Sequence, residues 1–424
     1  MPKQLAQEIN LLSKFKIMKK LFSFLSIALM GVLVTMSSCG KDDPVVDPPV
    51  DPGTSSTELL VKKFDAAPTL DGTIDDMWAG CQKLVNTVEV PTLAARGTYL
   101  NSDGAGVEEN LGLFDPYAGE KYDFTMRAGY AGDRIYMLIE WADDKDSKDR
   151  QSWYFDNTSK KWKQEHKYAN TSDDKFYEDK FAFLFPIGNV TGFSASTCYA
   201  TCHQNLTIVN PKDKHTRHYL TVDGEKVDMW HWKRVRGTYM NQVDDQMMTY
   251  DDPAKQSAAN GRHGDATGSA GYASNSVTLN NGTESVSVPK YIIPGKTDYY
   301  WIDADQIANG TAKEVTAVDA NGVLTFSDGT TLDPSTGGFE QGTGNKRAPS
   351  VTTKAFTLGR ADIDIMAKHT GTGWICEVTR KLNTGDVDDV VFDINNEYPF
   401  GFAIFNNAAI AHAIKPNLLM KFAK

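Results

Sequence analysis

The sequence predicts an all-β fold, an antiparallel sandwich of jelly-roll type, and three observations predict it. Beyond residue 57 the chain is built of short apolar runs rather than long helical periodicities. Those runs are rich in aromatic and β-branched residues and bounded by polar or Gly/Asp clusters. Tight-turn pairs recur between them, and many short strands with such turns suit a sandwich.

The strand-like runs are "DRIYMLIEWAD" (Asp133 to Asp143), "DKFAFLFPI" (Asp179 to Ile187), "GWICEVTRKL" (Gly373 to Leu382) and "YPFGFAIFNN" (Tyr398 to Asn407). The turn pairs are Asn281-Gly282, Asn321-Gly322 and Asp328-Gly329, the last two flanking the hairpin arm "VLTFS". From about residue 254 to 350 the chain is enriched in Gly, Ser, Asn and Thr. With no linker to set it apart, it reads as an insertion carrying extra hairpins within one domain spanning 58–424. No solenoid or propeller period, phosphate-binding glycine loop, GxSxG or HExxH is present.

A 424-residue chain with 41% hydrophobic and 23% charged residues has the composition of a soluble globular protein. Its formal charge of −11 excludes nucleic acid, whose phosphates reward clustered Lys and Arg. The short basic run "KRVR", Lys233 to Arg236, reads as a solvated strand face.

The N-terminus sets the compartment. "MKKLFSFLSIALMGVLVTMSSC" starts at Met18 with two lysines, continues as an apolar run and ends in small residues at Cys39, so residues 1–38 read as a signal peptide. The run is short of the about 20 apolar residues of a spanning helix. The small-small-Cys ending resembles a lipoprotein cleavage site, with Cys39 as the lipidated residue. A Pro/Asp-rich tether follows to residue 57. The acidic residues after Cys39 resemble signals that send bacterial lipoproteins to the cell surface. The expected location is therefore the outer membrane, on its periplasmic or outer side.

The chemistry concentrates in "STCYATCHQN", where Cys198 and Cys202 are separated by three residues and His203 follows directly. A c-type haem attachment is CxxCH: two thiols add to the haem vinyl groups and the adjacent imidazole binds iron. CxxxCH is a rarer form of that chemistry. A disulfide here would close a loop of little entropic value. Zinc would need further ligands, for which His215 and His218 are a partner pair.

Five segments in order, "TLDGTIDDMWAG", "EDKFAFLFP", "CYATCH", "DMWHWKRVR" and "FGFAIFNNAAIAHAIKP", resemble the ethylbenzene-dehydrogenase-related haem-binding domain, also described as the cytochrome c-552/dimethylsulfoxide-reductase-like haem domain. The resemblance implies a β-sandwich that holds one haem between its sheets and passes electrons. Some members are b-haem subunits of molybdenum enzymes with Met and Lys axial ligands. This chain carries CxxxCH where they carry the methionine, which implies covalently attached haem c with His203 as first ligand. His412 is the expected second ligand, with Lys415, Met420 and His263 as alternatives. Trp230, His231 and Trp232 are expected beside the haem, and Arg262, His263 and Asp265 either at its propionates or in a polar turn. His166 and His369 read as surface residues. The implied partners are other cytochromes or a molybdenum oxidoreductase, and the implied role is electron carriage rather than catalysis. The first segment is also similar to family 9 carbohydrate-binding modules, so the alternative function is a glycan-binding lipoprotein. Cys81 and Cys376 either form a disulfide or serve as two small buried hydrophobes.

Lipidation is directly testable. Labelled fatty acid should enter the wild-type protein and not Cys39→Ala; equal labelling of the two, or none in either, means the site is misread.

Overall fold

The computed structural model describes residues 52–90, 98–100, 106–108, 117, 119–165, 176–201, 219–251, 260–296, 298–336, 338–339, 347–409 and 411–424. The signal region, Cys39, His166, Cys202, His203, His215 and His218 lie outside the described residues.

Thirteen strands form one sheet: β1 (Thr54–Ser55), β2 (Glu58–Lys63), β3 (Lys83–Glu89), β4 (Lys121–Ala131), β5 (Arg134–Ala142), β6 (Lys180–Ile187), β7 (Lys226–Lys233), β8 (Asp244–Thr249), β9 (Arg262–Gly264), β10 (Asp364–His369), β11 (Gly373–Lys381), β12 (Glu397–Phe405) and β13 (Ala413–Phe422). Their order is β9-β8-β7-β6-β12-β13-β2-β4-β5-β11-β10, with β3 pairing β1, β13 and β4. Pairing is antiparallel except where β1 meets β3 and where β2 meets β13 and β4. Each of the four strand-like runs contains one of these strands. The β4–β5 hairpin turns through Gly132, whose φ of 58° gives the turn sense that matches strand twist.

The sheet closes over itself as a sandwich. Phe181, Phe183, Phe185, Trp230, Trp232 and Phe402 of one half face Phe124, Trp141 and Trp374 of the other. Phe124 meets Phe402 at 4.9 Å between ring centroids, and Trp232 meets Trp374 edge-on at 5.0 Å. Full burial of each such ring stabilises the fold by about 1.5–3 kcal/mol. Aromatic rings fill the space between the halves.

Between residues 272 and 353 the chain forms small separate sheets. All three turn pairs sit at hairpin reversals, with Gly282, Gly322 and Gly329 at φ of 96°, 80° and 80°. A second apolar cluster, including Trp153, Phe155, Trp162, Ile292, Val315 and Phe326, lies under these hairpins.

The expected Cys81–Cys376 disulfide is corrected. Cys376 pairs with Ile139 in the central core, whereas Cys81 packs with Phe64, Trp78, Tyr136 and Leu138. Since Leu138 and Ile139 point to opposite faces of β5, the two sulfurs lie on opposite sides of the sheet. Both are free thiols, and burial raises the pKa of each.

The reading of "KRVR" as a solvated face is corrected as well. Lys233 is 2% and Arg236 8% exposed. Arg236 Nε donates to Glu178 Oε1 at 2.6 Å, and Val235 N donates to Glu178 Oε2 at 2.7 Å. Burial alone would raise the Glu178 pKa, but the charges of Arg236, Arg150 and Lys180 and the Val235 N–H outweigh it and hold the carboxyl below its usual range. A depressed folded-state pKa contributes stability that is present above the unfolded-state pKa and lost as pH falls through the folded one. Glu178→Gln should therefore cost about 3–5 kcal/mol at pH 7, the penalty of breaking a buried pair. In urea melts the deficit should shrink once acid has protonated the wild-type carboxyl. An equal deficit in acid and at neutral pH would show that the charge is not what matters.

Candidate functional site

Strands β6, β7 and β12 bury both faces. Their inward positions carry the core rings, while their outward positions carry a different set in strict register. One outward row runs His231, Ala182, Ala403, Ile414 across β7, β6, β12 and β13. The next row on one side is Lys233, Lys180, Phe405, and on the other Met229, Leu184, Gly401. Two alanines at the centre make a flat apolar floor. Both are buried: Ala182 is 5% and Ala403 8% exposed.

Cys198 sits at the Gly401 end of this floor. After β6 the chain turns at Gly192 (φ 76°), makes a short helix at Phe193–Ser196 and a 3-10 turn at Thr197–Ala200. Thr197 has φ 41° and ψ −110°, a strained conformation, and its Oγ1 accepts from Asn417 N at 3.0 Å. Cys198 is 4% exposed, and a Cβ built on Gly401 would lie 2.3 Å from its Sγ. The thiol fits because residue 401 has no side chain.

Phe405 anchors the other end. It lies four residues from Gly401 on the same strand face, about 13 Å away at the usual strand rise. Its ring is stacked by His412 at 4.6 Å and by His231 at 5.6 Å, and Lys180 Nζ stands 4.0 Å from its centroid. Lys180 Nζ also donates to Ala409 O at 3.0 Å.

His231 is chemically the most defined member. Its Nδ1 lies 3.2 Å from Gln246 Oε1, which also accepts from Arg262 Nη1 at 3.0 Å. Nδ1 therefore carries the proton, and Nε2 presents a lone pair that has no hydrogen-bond partner. Burial, reinforced by the charges of Lys233, Lys180, Arg262 and Arg236, holds the His231 pKa well below its usual range. A neutral imidazole with an available lone pair is the metal-ligating form.

The structure thus brings Cys198, His231 and His412 to one face. Trp230 and Trp232 are not with them: alternation turns both indoles into the aromatic core. Lys415 pairs with Phe402, on the side of β13 opposite Ile414. Of the residues expected at propionates or in a polar turn, Arg262 reaches the outward face through Gln246, while His263 bonds locally with Gly264 O. Asp265 is 4% exposed and not a solvated turn residue. Lys180, Phe405, Gly401 and the two alanines were missed from sequence. Their signal was the small residue alternating with Phe in "DKFAFLFPI" and "FGFAIF".

A family model described as ethylbenzene dehydrogenase matches residues 85–415. The chain belongs to the ethylbenzene dehydrogenase family. That is an enzyme family, which corrects the expectation of a carrier rather than a catalyst. No curated protein matches the chain. Among solved structures it is similar to a family 9 carbohydrate-binding module from Caldicellulosiruptor kristjanssonii, solved in complex with glucose. The identity is 8%, over 86% of this chain and 95% of that one, with a TM-score of 0.25. A likeness that slight bears on neither fold nor ligand.

The seat of Cys198 can be tested in this family member. Gly401→Ala should destabilise it by about 1–3 kcal/mol through overpacking. Combining it with Cys198→Ala should relieve most of that loss. If thermal melts show the same cost in both backgrounds, the thiol is not what Gly401 accommodates.

Proposed function

We propose that the chain holds one covalently attached haem c over the outward face of β6, β7 and β12 and transfers electrons within the oxidoreductase chemistry of its family. The observation that carries this reading is the assembly of Cys198, His231 and His412 around one flat, small-residue floor. The residues fit the group in three ways. Ala182 and Ala403 leave a planar apolar surface, Gly401 admits the cysteine, and His231 offers a buried nitrogen without a partner. Lys233 and Arg262 give the face a cationic border suited to propionates.

In this reading Cys198 and Cys202 would tether the group, and His203 and His412 would hold its iron. His412 is favoured over Lys415 because its ring stacks on Phe405 whereas Lys415 pairs with Phe402 on the other side of β13. An imidazole also binds at neutral pH without losing a proton from an ammonium. Bound there, haem iron would supply one-electron transfer, at a lower potential with two histidines than with a methionine. The covered floor would exclude water, and Phe405 would hold His412 in orientation. Anchored by Cys39 outside the cytoplasm, the protein would exchange electrons with a cytochrome or a molybdenum oxidoreductase.

Protein matured by a c-type system should keep its haem absorbance through acid acetone, and replacing Cys198 and Cys202 with Ala should make the haem extractable. A colourless product, or haem extracted from the wild type, sinks covalent attachment. His412→Ala should convert a low-spin ferric spectrum to high spin. If it stays low-spin and His231→Ala changes instead, the second ligand is His231.

A further inference from the structure

On the inward side of β7, at the end away from Lys233, three buried aspartates converge and a fourth interacts with them. Asp228 and Asp245 come from β7 and β8 and Asp389 from the segment after β11; each offers an oxygen within 4.8 Å of the others'. Asp265, which follows β9, is a separate arrival. It is 4% exposed, both its oxygens lack a hydrogen bond, and its strongest charge interactions are with Asp228 and Asp389. Asp245 is fully buried, and neither of its oxygens has a hydrogen bond.

Among the described residues, one cation faces them. Arg380 Nη1 lies 2.7 Å from Asp228 Oδ2 and 3.5 Å from Asp389 Oδ1, with all three side chains fully buried. Val390 N also donates to Asp228 Oδ2 at 3.0 Å. A single guanidinium cannot neutralise four carboxylates. Buried like charges must either take up protons or meet a further cation. Burial raises all four pKa values, that of Asp265 to about 9 and that of Asp389 to about 7. For Asp245, Asp265 and Asp389 the neighbouring carboxylates push in the same direction.

Among the described residues, six carboxylate oxygens here have no hydrogen bond: Oδ1 of Asp228, both of Asp245, both of Asp265 and Oδ1 of Asp389. An all-oxygen set without nitrogen or sulfur selects a hard cation, and calcium takes 6–8 oxygens in flexible geometry. Thiophilic or imidazole-binding metals have nothing to grip. Mg²⁺ demands near-octahedral geometry and keeps its waters, which side chains this deeply buried do not favour.

We propose that Asp228, Asp245, Asp265 and Asp389 form a structural calcium site. Asp389 follows β11 in one half of the sandwich, whereas Asp228 and Asp245 lie on β7 and β8 of the other, so the ion would fasten the two halves at this end. It would also fix the loop after β11, which already meets the β9 side through Ala266 N donating to Asp388 Oδ2 at 3.2 Å.

The test uses the full chain, stripped with EDTA and dialysed. Adding CaCl2 should raise the melting temperature by about 5 °C or more. Elemental analysis should find one calcium per chain, and Tb³⁺ should luminesce through Trp230, the cross-strand partner of Asp245. Asp245→Asn and Asp265→Asn should each abolish the calcium response. In EDTA both variants should melt at or above the wild type, because each replaces a carboxyl whose ionised form is disfavoured there by burial and its neighbours. That contrast separates a lost ligand from a damaged fold. No shift and no bound calcium in the wild type would overturn the proposal, as would an undiminished response in both variants. An equal response to MgCl2 would overturn the calcium assignment.

Discussion

Strands β6 and β7 have no solvent face, and much of the molecule is arranged around that constraint. Their inward positions are satisfied by aromatic packing against β5 and β11. Their outward positions carry Lys180, His231 and Lys233, which are 2%, 6% and 2% exposed. Charges at that depth cost several kcal/mol each unless paired. Lys233 is accordingly bonded to Asp244, which Arg360 and the Tyr272 hydroxyl also contact. The Gly/Ser-rich span thus has a structural role, because Tyr272 lies within it and helps roof the charged end of the sheet. The Thr197–Ala200 turn covers the opposite end, and the alanine floor lies between the two covers.

This arrangement explains which features were legible in the sequence. Strand runs such as "DKFAFLFPI" declare themselves because their aromatic content needs a core on at least one side. The Cys198 signal is legible because its chemistry is contiguous along the chain. Alternation in "MWHWK" separates Trp230 and Trp232 from His231, but alternation alone does not say which face is the core. The Lys233–Arg236 run looks solvated because a charge run usually is; only the cover contributed by distant residues buries it. Cys81 and Cys376 share a compartment but not a side of the sheet, and compartment was the only argument for pairing them. The four aspartates lie at 228, 245, 265 and 389 with no local spacing to mark them. Strand order alone brings them together.

The two faces of β7 carry opposite electrostatic problems within one short strand. Outward, burial keeps His231 neutral, and the charges of Lys233, Lys180, Arg262 and Arg236 reinforce it. Inward, at Asp228, carboxylates outnumber the one arginine that meets them. The core rings lie between, and Arg380 itself stands 4.9 Å from the centroid of the Trp230 ring. A low-dielectric layer screens neither set from itself, so each must be balanced on its own side. An anionic cofactor edge would balance the outward side and a hard cation the inward one. The two sites would then be separable: filling one relieves no charge at the other, and a ligand lost from one face should leave the other able to bind.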